Sequence, residues 1–223
     1  MKFFSACLIR PVYLVIILMF FNGCEKNKEY KPKSNTEEYN IAHGIENGKA
    51  NTIIIGKAQF KLPDNTRFKV YTNGEIIRHK ADKLTLWTKL SKNNSISQSS
   101  SKSELNYLRI EVSHRPLTNT SSLRPEKQNY HFSFHDMERG LTVFKGTESS
   151  FLYLAKENNL NTIKLYCSPV SNIQAFGTNG PCRTAYHLPS GMLIEIFFPM
   201  EILDDWRGII KESVETVEKY RIN

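Results

Sequence analysis

Between Asn51 and Phe198 the chain is built from short segments that change character every second residue. In "AQFKL", Ala58, Phe60 and Leu62 alternate with Gln59 and Lys61, and "RFKVYT" alternates again. Side chains on a strand point to opposite faces in turn, so this period of two describes strands with one face buried and one facing water. "KLTLWTKL", "ELNYLRIEVSH", "YHFSFHDM", "GLTVFKG", "FLYLAKE", "NTIKLYCS", "RTAYHL" and "MLIEIFF" follow as further strand candidates. Each is short, rich in β-branched or aromatic residues, and bounded by Gly, Asn or Pro. Asn73–Gly74, between "RFKVYT" and "EIIRH", is the dipeptide that favours a tight hairpin. No repeat of fixed period is visible.

The end of the chain departs from this pattern. After Pro199, "MEILDDWRGIIKESVETVEKYRI" places Ile202, Leu203, Trp206, Ile209, Ile210, Val214 and Val217 on one helical face. Glu201, Asp204 and Asp205 near its start, with Lys219 and Arg221 near its end, suit the helix dipole. The expected fold class is therefore α+β: a mostly antiparallel β-sheet with an amphipathic C-terminal helix packed on it. Two long polar stretches interrupt the strands, the Ser/Asn-rich residues 91–103 and the Pro-broken residues 113–129. A division into two lobes is expected around the second.

The first 24 residues have another logic. Lys2 and Arg10 precede the apolar run "VYLVIILMFF", which stops at Gly23–Cys24. Ten residues at ~1.5 Å rise fall short of a ~30 Å hydrocarbon core, which favours an export signal over a permanent span. "FNGC" resembles the lipobox of bacterial lipoproteins: Gly23 and Cys24 match it, while Phe21 and Asn22 depart from its preferred residues. The resemblance implies cleavage after residue 23 and acylation of Cys24. The acyl chains would be the membrane contact, each buried methylene contributing ~0.8 kcal/mol. Glu25 implies sorting to the outer membrane, facing the periplasm. An uncleaved signal anchor is the alternative. The expected organisation is a signal peptide over 1–23, a lipid-anchored flexible tether over 24–50 and a globular domain over 51–223.

Of the four cysteines, Cys7 lies in the signal and Cys24 carries lipid on this reading, which leaves Cys167 and Cys182. They flank a stretch rich in turn residues, and a disulfide between them suits an oxidising compartment; two free thiols are the alternative. The net charge is +8. Loss of the first 23 residues removes Lys2 and Arg10, leaving 28 basic residues against 22 acidic. Such a surface favours an anionic partner, although no dense basic block is present. Nucleic acid is not expected as a partner, because it is scarce in the periplasm and the aromatics fall in alternating strands.

No nucleophile, P-loop, zinc-protease or dinucleotide signature is present, so neither an enzyme nor a cofactor is expected. Ser190 in "LPSGM" reads as a turn residue. The sharpest chemical cluster, His131, His135, Asp136 and Glu138 in "YHFSFHDMERG", sits on a strand pattern, which sets its two imidazoles ~13 Å apart at ~3.3 Å per residue, too far to share one ion.

Three segments carry a family resemblance: "IIGKAQFKLPDNTRFKV", "GPCRTAY" and "LDDWRGIIKESV". Together they resemble the periplasmic immunity lipoproteins that accompany type VI secretion effectors, including those paired with lipases. The resemblance implies a non-enzymatic inhibitor that binds a cognate effector toxin and covers its active site. On that expectation the contacts fall in the loops 91–103 and 113–129, with Arg115 and Arg124 as partner-binding candidates, since Arg is enriched at interface hot spots. The alternative is an envelope scaffold or assembly lipoprotein that binds another envelope protein.

Overall fold

The computed structural model describes residues 32–34, 36–89, 107–114, 129–147, 149–157, 161–168 and 180–222. They fold into the α+β architecture that the alternation implies: one large antiparallel sheet, one small sheet and a C-terminal helix.

The folded part begins before residue 51. Thr36 caps a short helix, α1 (Glu37–Ala42), by accepting a hydrogen bond from the Tyr39 amide. Tyr39 and Ile45 enter the core and His43 is completely buried. The His43 ring bonds the Tyr39 carbonyl oxygen through Nδ1 (2.9 Å) and Thr72 Oγ1 through Nε2 (3.0 Å), while Tyr39 Oη accepts from the Thr72 amide (2.8 Å). The flexible tether expected over 24–50 is thus corrected for residues 36–50. Burying an aromatic ring and satisfying its polar groups outweighs the entropy of holding those residues still.

Strands β1 (Asn51–Ile55) and β2 (Ala58–Leu62) form a hairpin whose turn is Gly56–Lys57. The run "NTIIIGKAQFKL" is therefore two strands, because Gly56 takes a φ of +61° that lets the chain reverse. After the Asp64–Asn65 turn, β3 (Arg67–Tyr71) enters the large sheet. The hairpin expected at Asn73–Gly74 does not form. Gly74 lacks the positive φ such a turn needs, and the Asn73 amide is held by Asp82 Oδ2 (2.7 Å). Residues 72–82 instead make an excursion in which β4 (Lys80–Ala81) pairs in parallel with β1. The chain then returns as β5 (Lys83–Lys89) beside β3.

β6 (Tyr107–His114) pairs with β5. The chain next appears at the far edge of the same sheet as β7 (His131–Asp136) and works back one strand at a time. It passes through β8 (Leu141–Lys145), β9 (Phe151–Glu157), β10 (Asn161–Cys167) and β11 (Pro181–His187). β12 (Met192–Pro199) fits between β11 and β6 and completes the order β3-β5-β6-β12-β11-β10-β9-β8-β7. Strands from both sides of residues 113–129 thus share one sheet, and no division into lobes is seen there among the described residues.

A six-residue 3-10 turn (Met200–Asp205) leads into α2 (Trp206–Tyr220), where Asp205 accepts from the Gly208 amide (3.2 Å) as the cap. The expected apolar helix face lies inward, with Trp206, Ile209, Ile210 and Val217 buried. Beyond α2, the Ile222 amide donates to the Gln59 carbonyl (2.9 Å), tying the chain end to β2. The core lies between one face of the large sheet and a layer made by the small sheet and α2. Leu84, Leu86, Leu108, Ile110, Ile194, Ile196 and Phe198 come from the large sheet, and Ile53, Ile55, Phe60, Leu62 and Trp206 face them. Each such side chain contributes about 1.5–3 kcal/mol by leaving water.

Candidate partner-binding face

The alternation that buries one face of the large sheet leaves the other turned outward. Register places a single row of side chains across all nine strands of that face. It runs Arg67, Trp87, Arg109, Phe197, Arg183, Tyr166, Leu152, Phe144, Phe132; Leu152 is completely buried and the others are exposed or half-buried. From β3 to β10, cations and aromatic rings alternate. Arg67 lies over the Trp87 ring at 5.3 Å, Arg109 over Phe197 at 3.8 Å and Arg183 over Tyr166 at 5.6 Å. Each ring presents its negative quadrupole face to a guanidinium, which holds the long side chain in place without neutralising it.

Neighbouring rows add charge. Among the described residues the cations of this face are Arg67, Lys69, Lys83, Lys89, Arg109, Lys164 and Arg183, and its carboxylates are Glu111 and Glu195. Glu111 serves two of the cations, bonding Lys83 Nζ at 2.9 Å and lying 3.5 Å from Arg109 Nε. Arg183 makes no ion pair among the described residues. The face is therefore basic, and its arginines are spaced by rings rather than by acids. Burial pulls the Lys164 pKa down.

Near the middle of the row is a hollow of about 280 Å³, lined by Arg109, Tyr130, Ser150, Tyr166, Cys167, Ser168, Pro181, Cys182, Arg183 and Phe197. The Cys167–Cys182 disulfide joins register partners on β10 and β11, with Cα atoms 4.0 Å apart, and pins the two strands at the rim. Burial pushes the Tyr166 hydroxyl up to about 12, with Tyr130 adding to the shift and Arg183 opposing it. Its phenol remains a proton donor throughout the physiological range. Gly146 sets one wall: a Cβ there would lie 2.6 Å from Ser150 Oγ and from the Tyr130 ring.

The expected site residues are distributed differently. Cys24, Arg115 and Arg124 lie outside the described residues, as do residues 91–103 and most of 113–129. His131 and His135 lie on β7, as the strand pattern implies; His135 meets Thr142 Oγ1 at 3.2 Å. Asp136 is committed elsewhere. Arg139 Nη1 donates to its carboxylate at 2.6 Å, and Arg139 Nε reaches Asp204 at 2.5 Å. The Arg139 carbonyl accepts from Trp206 Nε1 and from Arg207, so this knot clamps the β7–β8 turn to α2. No group of three or more His, Cys, Asp or Glu suited to a metal ion occurs among the described residues. Ser190 sits in a turn, as expected.

The residues missed by sequence reasoning are Arg67, Arg109 and Arg183. Their signal was present in outward positions of alternating strands, "RFKVY", "LRIEV" and "CRTAY", each pairing an Arg with apolar neighbours. Their alignment into one row depends on register between strands far apart in sequence.

No protein-family model matches the sequence, and no curated protein does. The fold is similar to that of a solved structure, Smlt3025, an immunity protein of the Stenotrophomonas maltophilia type IV secretion system. The TM-score is 0.50 and the sequence identity 11%, and the match covers 79% of this chain and 94% of that one. At that identity the likeness is one of fold: the chain has the fold of an immunity protein.

Proposed function

We propose that this chain is an immunity protein that binds a secreted effector toxin and blocks it by occupation, without catalysis of its own. The observation that carries the reading is the outward face of the large sheet. The six strands from β3 to β10 at ~4.8 Å span about 29 Å, and strands of seven residues at ~3.3 Å add about 23 Å, giving roughly 650 Å², close to the ~800 Å² each partner contributes to a standard protein–protein interface. The face combines arginines with large aromatics, the residue types that dominate interface hot spots, on a rigid scaffold. An immunity protein built on a similar fold supports the same reading.

The same proposal places the protein in the bacterial envelope, acylated at Cys24 and facing the periplasm from the outer membrane. "FNGC" and the disulfide support that placement. The three segments that resemble type VI immunity lipoproteins favour toxin delivery by that route.

The test is competition between sibling cells. Cells lacking this gene are expected to be killed or arrested by siblings that keep the effector, and a plasmid copy is expected to restore them. Full survival of the deleted cells beside toxin-producing siblings sinks the reading. Membrane fractionation of Cys24→Ser checks the anchor separately, with release into the soluble fraction as the expected result.

A further inference from the structure

We propose that the hollow beside the Cys167–Cys182 bridge is an anchor pocket for one acidic side chain of a protein partner, a glutamate or aspartate received by Arg183 and Arg109. The proposal rests on the reading of the open sheet face as the surface that meets an effector, and it names the chemistry at the centre of that contact.

Four observations converge on it. Register sets Arg109 and Arg183 on either side of Phe197, two strand spacings or about 10 Å apart at the backbone. Both line the hollow, Arg109 leaning on Phe197 and Arg183 on Tyr166, so the two long cations flank it. Its other polar lining among the described residues includes the hydroxyls of Tyr130, Ser150, Tyr166 and Ser168, that of Ser150 already donating to the Thr147 carbonyl (2.7 Å), and no carboxylate among the described residues lines it. Its volume of about 280 Å³ is at the bottom of the ~300–1,000 Å³ range of small-molecule sites, which suits one inserted side chain better than a free cofactor. Finally, the walls are fixed in advance. The disulfide and Pro181 stiffen one side, and the tight approach of Gly146 to Ser150 and Tyr130 stiffens the other. A pre-formed pocket spares the partner the cost of ordering it.

The arginines divide the work. Arg109 stands over Phe197 with Glu111 3.5 Å from its Nε, so part of its charge is answered. Arg183 is exposed and stacks only on Tyr166 at 5.6 Å among the described residues. Arg183 is therefore the main electrostatic anchor, while Arg109, held against the Phe197 ring, supplies the second guanidinium of the site. A glutamine in the same place would lose both charge-assisted bonds.

The experiment uses the full chain labelled with ¹⁵N/¹³C-arginine. N-acetyl-glutamate-N-methylamide, its glutamine counterpart and inorganic phosphate are titrated separately, and the arginine side-chain signals are followed by NMR. The glutamate probe is expected to move the Arg183 and Arg109 signals saturably. The glutamine probe should bind at least tenfold more weakly, and Arg183→Met should weaken glutamate binding at least fivefold without changing Tm. An equal response to the glutamine probe overturns the proposal. So does tighter binding of phosphate than of glutamate, which would make this a site for phosphate or lipid headgroups. In sibling competition, Arg183→Met is expected to lose protection. If it protects as well as wild type, the anchor pocket is wrong while the immunity reading stands. If wild type itself fails to protect, the immunity reading falls and the titration still judges the pocket's chemistry.

Discussion

Arg109 stands over Phe197, its guanidinium carbon 3.8 Å from the ring centroid, and the next residue along that row is Arg183. A cation held by a ring keeps its charge available in a way that one locked to a carboxylate does not. The contact surface is therefore expected to be steered electrostatically. Association with the effector, measured by stopped-flow, should slow by roughly tenfold between low salt and ~0.5 M, with a much smaller change in dissociation.

Trp87 is the large aromatic at the other end of the cation–ring series, half-buried between Arg67 and Arg109. Trp87→Ala is expected to weaken effector binding by about 2 kcal/mol, or ~30-fold. Surface plasmon resonance on the purified pair reads this directly. Unchanged affinity would move the contact off this face.

Tyr39 ties the N-terminal segment to the sheet through its hydroxyl, which accepts from the Thr72 amide while the ring is buried beside His43. Tyr39→Phe leaves that N–H without its partner and should cost about 1–3 kcal/mol of unfolding free energy. Urea titration gives the value. A difference near zero would mean that residues 36–45 unfold before the domain does.

The bridge between Cys167 and Cys182, 15 positions apart in sequence, is expected to contribute about 3 kcal/mol by restricting the unfolded chain. The double variant Cys167→Ala/Cys182→Ala should have a lower urea midpoint, and a reducing agent should lower the midpoint of wild type alone.

Asp136 introduces a pH dependence. Hydrogen bonds from the Arg139 side chain and backbone hold its carboxyl below the ordinary range. A carboxylate with a depressed folded pKa stabilises the native state fully above its unfolded pKa near ~4, and that contribution is lost as pH falls through the folded value. Wild type should lose stability on acidification below about pH 4 more steeply than Asp136→Asn, measured by Tm across pH 2–6.

The fold was legible where one physical signal dominates. Period-two alternation marked β2 and β3, β-branched and aromatic runs bounded by turn residues marked β7 to β12, and Ile202 to Val217 marked the helix face. It was illegible where several local preferences compete. Asn73–Gly74 carries a strong hairpin preference, but Asp82 captures the Asn73 amide and Ala81 pairs with Ile55, so tertiary contacts override the dipeptide. Tyr39 and His43 looked like part of a charged tether because their partner, Thr72, lies 33 and 29 positions away. The arginines of the candidate site were hidden by the same difficulty. Arg109 and Arg183 become neighbours of Phe197 only through strand register, whereas Arg115 and Arg124 stand out in the sequence through the polar, Pro-broken stretch that holds them.

The pairing of β6 with β12 also sets a timetable. A chain delivered amino end first, whether from a ribosome or through a translocation pore, presents β6 with one side unpaired, and with Leu108, Ile110 and Val112 lacking their cover. That state persists while β7 to β11 are still arriving. Only the late appearance of Met192–Pro199 closes the seam, and the helix that caps the finished interior emerges last of all. For about a third of its delivery the nascent protein is an open-edged, sticky half-sheet, the condition under which strand-edge aggregation competes with folding and a holding chaperone has most to do.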